Sequence, residues 1–260
     1  MTAIHPSAVI EDGARIGDDC RIGPFCHIGP QVVLESGVEL KSHVVVTGDT
    51  VIGADTLVFP FAVIGEIPQD LKFGGEHTRL RIGARNRIRE HVTINTGTAG
   101  GGGETRVGDD CLLMAGCHVA HDVMVGDRVI LVNHASVAGH CVIGDDVIVG
   151  GLCGIHQWVR IGRGAIIGAV TMVTNDVIPF GLVQGPRGRL DGLNLVGLKR
   201  RGTSREEIGA LRAAFRALKE GEGTFHERAA GLGGVESELV RELSDFVSAA
   251  SDRQFLTPQG

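Results

Sequence analysis

No apolar run in this chain of 260 residues approaches the ~20 residues that a membrane-spanning helix needs. A signal peptide is not expected either, because a regular aliphatic repeat begins at Ile4 and leaves no room for a leader. The net charge of −6 argues against general nucleic-acid binding, which needs basic surface to neutralise phosphates. These absences predict a cytoplasmic protein with no membrane span and no nucleic-acid partner.

What the chain has instead is a period of six. An Ile, Leu or Val recurs at every sixth residue from Ile4 to Ile64, from Ile82 to Ile94 and from Val107 to Val173. The three series hold eleven, three and twelve hexads, 26 in all. A fixed period sustained over so many units predicts a solenoid.

A second position repeats with the first. The residue four places after the aliphatic one is Ala, Cys, Val or Thr in 24 of the 26 hexads, the exceptions being Pro68 and Asn86. A helix repeats near 3.6 residues and an ordinary strand near 2, so a period of six indicates a short strand followed by a turn. Three such units close a triangular coil, and 26 hexads predict roughly eight or nine stacked coils.

The cysteines follow the same pattern. All six occupy the small inward position of a hexad, and no Cys-x-x-Cys motif occurs: Cys20, Cys26, Cys111, Cys117, Cys141 and Cys153. Buried free cysteine behaves as a small hydrophobic residue. We therefore expect inert core thiols in a reducing compartment rather than disulfides or a metal site.

Two segments interrupt the repeat. Residues 68–81 leave the pattern and carry Gln69, Asp70 and Lys72, and residues 99–106 insert a run of four glycines. Loops that leave a solenoid gather on one face and carry function. The glycine run lacks the Gly-Lys-Ser/Thr ending of a nucleotide-binding loop, which predicts a flexible excursion.

After Val177 the hexads stop, and a linker rich in proline and glycine follows. Ser204 precedes Glu207 by three residues at the start of an amphipathic run to about Lys219, and Thr224 stands in the same relation to Glu227; both are capping-box signatures. A further helical run covers about 235–250. The predicted fold is mainly β, with a parallel β-helix over residues 1–186 and a small C-terminal α-helical domain over residues 187–260.

Histidines gather on one face of the predicted coils. His121, His140 and His156 lie about one coil apart in sequence, and His118 closes the hexad before His121. By strand spacing the set spans roughly 10 Å. Three interpretations are open: polar residues filling outward positions, a zinc site, or acid–base chemistry in which a neutral imidazole takes a proton from a hydroxyl. Asp122, which follows His121, is a candidate for orienting it.

The repeat resembles the hexapeptide-repeat transferases, whose repeats fold as a left-handed parallel β-helix. Five segments make the resemblance specific: residues 64–72, 118–122, 138–140, 154–157 and 194–201, which read IGEIPQDLK, HVAHD, AGH, GIHQ and NLVGLKRR. In this order, and with the helical tail, they are similar to the UDP-N-acetylglucosamine O-acyltransferases, the family of the first enzyme of lipid A synthesis. The resemblance covers the whole chain.

The resemblance implies an activity and its partners. Members of the family move a β-hydroxyacyl chain from the thioester of acyl carrier protein to the 3-position of the glucosamine in a UDP-sugar. They use no cofactor, no metal and no covalent enzyme intermediate, and their sites lie between the subunits of a homotrimer. A flat prism wall has no deep pocket of its own, which is consistent with a site closed by a second subunit.

Carried onto this chain, the resemblance assigns three catalytic residues: His121 as general base, Asp122 as its orienting partner, and the backbone N–H of Gly139 as oxyanion donor. It implies contacts with substrate for eleven others: Gln69, Asp70, Lys72, Asn95, His118, His140, His156, Gln157, Asn194, Arg200 and Arg201. A planar guanidinium suits two phosphate oxygens at once, which favours a phosphate-binding role for the arginine pair.

Three positions depart from the family. Asn95 stands where a histidine is usual, Val196 replaces a Glu, and Ala169 occupies a glycine position that limits acyl length. Ile166 also lies near the expected end of the acyl groove. Asn95 raises the alternative of a 3-amino acceptor sugar, which would give an amide.

Three other interpretations are weighed against this one. The later lipid A N-acyltransferase has an extra N-terminal uridine-binding domain, whereas the hexads here start at Ile4. A β-helical zinc hydratase of the carbonic anhydrase type would need bound zinc. A non-catalytic scaffold would leave the clustered histidines and the arginine pair unexplained.

Overall fold

The computed structural model describes residues 1–258, so the last two residues of the predicted helical domain, Gln259 and Gly260, lie outside the described residues. Within that range the chain forms 28 short strands, one 3₁₀ turn and four α-helices. The strands are β1 Ala3–Ile4, β2 Val9–Ile10, β3 Arg15–Ile16, β4 Arg21–Ile22, β5 His27–Ile28, β6 Val33–Leu34, β7 Glu39–Leu40, β8 Val45–Val46, β9 Asp49–Ile52, β10 Leu57–Val58, β11 Val63–Glu66, β12 Arg79–Ile82, β13 Arg87–Ile88, β14 Thr93–Asn95, β15 Glu104–Val107, β16 Leu112–Leu113, β17 His118–Val119, β18 Met124–Val125, β19 Ile130–Leu131, β20 Ser136–Val137, β21 Val142–Ile143, β22 Ile148–Val149, β23 Gly154–Ile155, β24 Arg160–Ile161, β25 Ile166–Ile167, β26 Met172–Val173, β27 Gly181–Gln184 and β28 Arg189–Leu193.

The first 26 strands correspond one to one with the 26 hexads, and each contains the repeating aliphatic residue. They distribute in turn over three parallel sheets, which form the faces of a triangular prism. We call the sheet that contains β1 and β4 face A, the sheet of β2 and β5 face B, and the sheet of β3 and β6 face C. The fold is a left-handed parallel β-helix, as predicted.

Register explains the layered core. Ile4 pairs with Ile22 and Ile10 with Ile28, so each regular coil takes eighteen residues and stacks like on like. Aliphatic residues of all three faces therefore meet along the prism axis in one continuous cluster of buried residues. Burial of this apolar surface is the main stabilising contribution, while the parallel ladders satisfy the backbone.

The six cysteines are free and buried, as predicted. Each thiol donates to a backbone carbonyl fifteen residues later, in the next coil, for example Cys26 Sγ to Lys41 O at 2.8 Å and Cys153 Sγ to Gly168 O at 2.9 Å. Burial raises the pKa of the Cys141 thiol to about 12 and that of Cys117 to about 11. Protonated thiols are poor nucleophiles and poor metal ligands, which agrees with a packing role.

The prism corners are tight turns with residues in the left-handed region. Asp122, His140 and Trp158 have φ of 59°, 64° and 67° and all occupy the corner between faces B and C, which we call the B–C edge. Short side chains such as Asp tolerate this conformation best. Both interruptions of the repeat leave from the B–C edge, because residues 67–78 connect β11 to β12 and residues 96–103 connect β14 to β15. The two excursions and the histidine turns are thus aligned on successive coils.

The C-terminal part begins with an antiparallel hairpin, β27 and β28, that continues face A. The predicted boundary between the two domains, after residue 186, falls in the turn of this hairpin and stays a prediction. The helices are α1 Leu195–Arg200, α2 Arg205–Glu220, α3 Phe225–Ala230 and α4 Glu238–Ser248. No helix in the described part of the chain is long and apolar enough to cross a membrane.

Helix capping agrees with the sequence signals in part. Thr224 and Glu227 form a complete capping box at α3. Ser204 caps α2 by accepting from Glu207 N, but the Glu207 carboxylate accepts from Ser237 Oγ at 2.7 Å instead of completing the box. The competing partner comes from the start of α4, so a tertiary contact replaces the local one.

Candidate active site at the B–C edge

The B–C edge brings together polar side chains from five coils. The two excursions supply residues 67–78 and 96–103, and the next three coils supply the turns at residues 121–122, 139–140 and 157–158. Since coils stack at about 4.8 Å, such turns form a column of side chains along the edge. The four histidines grouped by sequence spacing lie on or next to this column.

His121 and Asp122 form a hydrogen-bonded pair. The distance from His121 Nδ1 to Asp122 Oδ2 is 2.8 Å. The Asp122 side chain is 1% exposed, whereas that of His121 is 15% exposed. An ionised carboxylate only accepts hydrogen bonds, so Nδ1 carries the proton and Nε2 keeps its lone pair. Such an imidazole can accept a proton from a bound hydroxyl group.

Asp122 has further partners from the glycine-rich segment. Thr98 N donates to Asp122 Oδ1 at 2.8 Å, and Thr98 Oγ1 donates to Oδ2 at 2.6 Å. The backbone N–H of Asp122 donates to Thr105 Oγ1 at 2.8 Å. A buried carboxylate needs such donors, because an unpartnered buried charge is costly.

Gly139 lies against the ring of His121. A Cβ on Gly139 would come within 2.5 Å of His121 Cε1 and 2.7 Å of Nε2, so only glycine leaves room for this ring. The Gly139 carbonyl accepts from Trp158 N at 3.1 Å. Within residues 1–258 no acceptor takes the N–H of Gly139. A backbone donor therefore lies beside the imidazole, with room for an oxygen atom.

His140 continues the column. Its ring stacks on Trp158 with centroids 3.9 Å apart and meets His121 edge-on at 4.9 Å. Burial lowers the pKa of His140; the nearby His121 and Lys72 also lower it, while Asp122 and Asp70 oppose the shift. Asp70 and Lys72 of the first excursion are therefore close enough to His140 to influence its charge.

His118 lies on the outer surface of face B, half-buried beside the edge. Thr93 Oγ1 and His118 Nδ1 are 2.7 Å apart. Burial and then the neighbouring His121 lower the pKa of His118. This imidazole is thus disposed to stay neutral and to act as a hydrogen-bonding group.

His156 and Gln157 are tied to the C-terminal segment. Arg253 Nη2 is 2.8 Å from His156 Nδ1, and Arg253 Nε donates to Gln157 O at 3.1 Å. A guanidinium only donates, so His156 Nδ1 is the acceptor and the ring proton lies on Nε2. Arg253 thereby orients an exposed imidazole as a hydrogen-bond donor.

Gln69, Asp70 and Lys72 lie on the first excursion, where Lys72 N donates to Asp70 Oδ1 at 3.0 Å. Asn95 holds the start of that excursion, because its Nδ2 donates to Glu66 O at 3.3 Å and to Ile67 O at 3.0 Å. Asn95 Oδ1 is buried without a hydrogen-bond partner among the described residues. The amide therefore has a structural contact and one free acceptor.

Three predicted substrate contacts lie elsewhere on the prism. Asn194 caps α1 and donates from Nδ2 to Gly164 O at 2.9 Å, at the corner between faces C and A. A Cβ on Gly164 would come within 2.7 Å of Arg201 Nη2, so Arg201 lies at the same C–A edge, and Arg200 ends α1 beside it. Within one chain a full face separates these groups from His121.

The two residues predicted to limit acyl length also lie away from the B–C edge. Ile166 belongs to β25 on face A, and exposed Ala169 lies at the corner that leads to face B. They occur about two and a half coils beyond His121, which corresponds to roughly 12 Å along the axis.

One group could hold an ion by proximity: ligand atoms of His121, Asp122 and His140 lie within 4.8 Å of one another. Ligand atoms of a tetrahedral zinc are separated by about 3.4 Å, given its usual bond lengths. The 2.8 Å between His121 Nδ1 and Asp122 Oδ2 is instead a hydrogen-bond distance. The trio thus has the geometry of a proton-sharing network.

Sequence reasoning missed Thr98, Trp158 and Arg253. Thr98 occupies an inward hexad position, which by pattern is a core residue. Arg253 is 97 residues from His156, so no spacing rule connects them. Trp158 could have been found, because it occupies the turn position of His140 one coil later.

Comparisons with known proteins identify the family. The family profile of Bacterial transferase hexapeptide (six repeats) matches residues 13–48 and 104–139, and that of Udp N-acetylglucosamine O-acyltransferase, Domain 2, matches residues 176–256. The acyl-(acyl-carrier-protein)-UDP-N-acetylglucosamine O-acyltransferase of Paracoccus denitrificans is 69% identical over 203 residues, which are 78% of this chain and 77% of that relative. The protein of the same name from Methylobacterium radiotolerans is 61% identical over 99% of this chain and 95% of its own length.

Solved structures give the same result. The UDP-N-acetylglucosamine acyltransferase from Campylobacter jejuni superposes with a TM-score of 0.93 at 39% identity, covering 98% of this chain and 100% of that one. Similarity of this extent covers the β-helix, the B–C edge and the helical tail together. The chain therefore belongs to the UDP-N-acetylglucosamine O-acyltransferase family.

Proposed function

We propose that this protein transfers a β-hydroxyacyl chain from acyl carrier protein to the 3-hydroxyl group of UDP-N-acetylglucosamine, the first step of lipid A biosynthesis. Membership of the family supports the reaction, since its relatives carry that activity in their names. The observation that carries the mechanism is the His121–Asp122 pair with the free N–H of Gly139 beside it.

His121 acts as the general base. Its Nε2 takes the proton of the sugar hydroxyl while that oxygen attacks the thioester carbonyl carbon, a form of catalysis typically worth 10²–10⁴-fold in rate. Asp122 keeps the proton on Nδ1 and stabilises the imidazolium that forms. The lowered pKa of His140 limits positive charge near the base.

The tetrahedral intermediate carries an oxyanion, for which the Gly139 N–H is the donor. Collapse of the intermediate breaks the carbon–sulfur bond. The imidazolium of His121 then returns its proton to the thiolate, so the products are the 3-O-acyl sugar nucleotide and the free thiol of acyl carrier protein. No group from the protein is consumed.

Substrate contacts are divided between two edges of the prism. Residues at the B–C edge, together with the neighbouring excursion, surround the sugar and the thioester: Gln69, Asp70, Lys72, Asn95, His118, His140, His156 and Gln157. Asn194, Arg200 and Arg201 bind the UDP phosphates from the C–A edge. Because a face of the prism separates the two edges in one chain, a single site requires two subunits, which supports a homotrimer with sites between subunits.

Acyl length is set at Ile166 and Ala169. The family resemblance places Ala169, where the family has glycine, at the end of the acyl groove, and the methyl group of Ala169 takes up space there. We therefore expect a shorter chain to be preferred than in relatives that have glycine there.

The first experiment is mass spectrometry of the product formed by purified protein from a mixture of β-hydroxyacyl carrier proteins. UDP-N-acetylglucosamine and its 3-amino analogue are supplied in competition. An ester is the expected product, and its mass reports the acyl length. An amide would assign the 3-amino specificity, with Asn95 Oδ1 as the free acceptor facing the amine. No acylation of either acceptor, with zinc bound to the protein, would replace the transferase by a hydratase.

His121→Ala tests the mechanism. Transfer should fall by at least about 10²-fold, the usual contribution of a general base, while the melting temperature and assembly state stay unchanged. His134→Ala is the matched control, since His134 is an exposed turn residue at the corner between faces A and B. Equal loss in both variants, or unfolding of His121→Ala, would contradict the assigned role.

A further inference from the structure

We propose that the glycine-rich segment 97–103, which we call the glycine loop, is a rigid cradle that positions the Asp122 carboxylate, with Thr98 as its positioning residue. The proposal rests on the proposed function, because it gives this loop a role in the general-base pair. It also replaces the expectation of a merely flexible excursion.

Thr98 makes the main contacts. It donates to both carboxylate oxygens, from its backbone to Oδ1 at 2.8 Å and from its hydroxyl to Oδ2 at 2.6 Å. Asp122 Oδ2 is also the oxygen that faces His121 Nδ1. Thr98 therefore fixes the rotation of the carboxylate about its Cβ–Cγ bond, and through it the imidazole.

Glycine is needed for the close approach of the loop. A Cβ on Gly101 would lie 2.1 Å from Asp122 Cγ and 2.3 Å from Oδ2, and one on Gly97 would lie 2.8 Å from Oδ1. The loop backbone thus covers the carboxylate and keeps water away from it, consistent with the 1% exposure of the Asp122 side chain. Hydrogen bonds to buried charges are strong when water is excluded.

Internal hydrogen bonds hold the loop in shape. Thr98 O accepts from Gly101 N at 3.0 Å and from Gly103 N at 2.8 Å, which closes a 3₁₀ turn over Ala99–Gly101. Glu76 Oε1 accepts from Ala99 N at 3.1 Å. The loop is thereby attached to the first excursion, and the hydrogen bond from Ala99 N lowers the pKa of Glu76.

Four variants test the cradle. Thr98→Val removes the hydroxyl and keeps the branched shape and the backbone donor, while Thr98→Ser keeps the hydroxyl. Gly101→Ala places a methyl group against the carboxylate, whereas Gly100→Ala is its matched control, because a Cβ on Gly100 meets nothing within 4 Å.

We expect kcat to fall by roughly tenfold or more in Thr98→Val and Gly101→Ala, the effect of disturbing a hydrogen bond to a charged group. KM for both substrates should change little, because neither residue contacts substrate. Thr98→Ser and Gly100→Ala should retain near-normal kcat and melting temperature. Thr98→Val and Gly101→Ala should melt at lower temperatures, because the first leaves a buried carboxylate oxygen without its hydroxyl donor and the second places a methyl group against the carboxylate. Values of kcat are therefore compared well below those melting temperatures. Equal kcat in the two members of each pair would overturn the proposal.

A second measurement does not depend on transfer. ¹⁵N NMR of histidine-labelled protein should show His121 with its proton on Nδ1 in the wild type and in Thr98→Ser, and a mixture of tautomers in Thr98→Val. An unchanged tautomer of His121 in Thr98→Val would overturn the positioning role of Thr98, whatever the transfer activity of that variant. If the wild type fails to acylate either acceptor while Thr98→Val shows the tautomer change, the proposed function is overturned and the positioning role of Thr98 stands.

Discussion

A histidine that serves as a base must be neutral and must present the correct nitrogen. The carboxylate of Asp122 accepts a hydrogen bond from His121 Nδ1, so Nε2 is the nitrogen left to accept a proton. Gly139 has no side chain and therefore leaves room for the imidazole ring. His118 and His140 flank it with pKa values lowered chiefly by burial. Little positive charge therefore gathers around the base near neutral pH.

The lowered pKa of His118 predicts a pH dependence of stability. As the pH falls below the ordinary histidine pKa of 6.5, His118 is protonated in the unfolded chain but stays neutral in the folded chain. The stability that the neutral His118 ring contributes is thus fully present above pH 6.5, and it is lost as the pH falls towards the pKa of His118 in the folded state. Melting temperature should decline less between pH 7 and 5.5 in His118→Gln than in the wild type.

The same two proteins at pH 8 serve as the control, because both side chains are neutral there and the difference in melting temperature is only the cost of the substitution. Parallel declines on acidification would show that His118 does not contribute to the pH dependence.

At the scale of elements, the B–C edge is built from turns on consecutive coils. Each turn that carries a proposed catalytic residue is flanked by short strands that pair with the strands of the neighbouring coils. The histidines thus occupy a more rigid base than long loops provide. The C-terminal segment adds a contact from outside the solenoid, where buried Asp176 accepts from Arg160 and Ser251. That anchoring brings Arg253 to His156.

Arg253→Gln is predicted to raise KM for the acceptor or donor several-fold, with a smaller change in kcat. Loss of the charged Arg253 donor removes a hydrogen bond worth at most roughly 1.5–3 kcal/mol, and this contribution is smaller here because His156 is exposed to solvent. Steady-state kinetics with each substrate varied in turn would measure it. Arg241→Gln, an exposed arginine of α4, is the control. Unchanged KM values would show that Arg253 only anchors the segment.

The strands could be predicted from the sequence because their signal is local: each hexad carries one aliphatic residue, which lies in the strand, and one small residue four positions later. The histidine column followed for the same reason, since eighteen residues return the chain to the same corner. Thr98 and Arg253 could not be predicted, because their partners Asp122 and His156 are 24 and 97 residues away. Helix α1 was missed because it is six residues long and contains Gly197.

At the scale of the whole molecule, the proposed division of the site between the B–C and C–A edges of different subunits predicts complementation. His121→Ala and Arg201→Ala should each be nearly inactive alone. When the two are unfolded and refolded together, mixed assemblies of the proposed trimeric kind would contain about one site in three with both residues intact, so transfer should reappear. The double variant refolded with itself is the control. No recovery from the mixture would place His121 and Arg201 in the same subunit's site.

Eighteen residues per coil also constrain how the length of such a chain can change. Loss of one whole coil would leave the flanking strands in register and shorten the prism by about 4.8 Å, whereas loss of a single residue would turn the aliphatic side chains of that strand outward. Insertions and deletions should therefore be tolerated in multiples of eighteen residues, or at the B–C edge, where two excursions already interrupt the repeat. A deletion of one coil between His121 and Ala169 would also shorten the path available to an acyl chain.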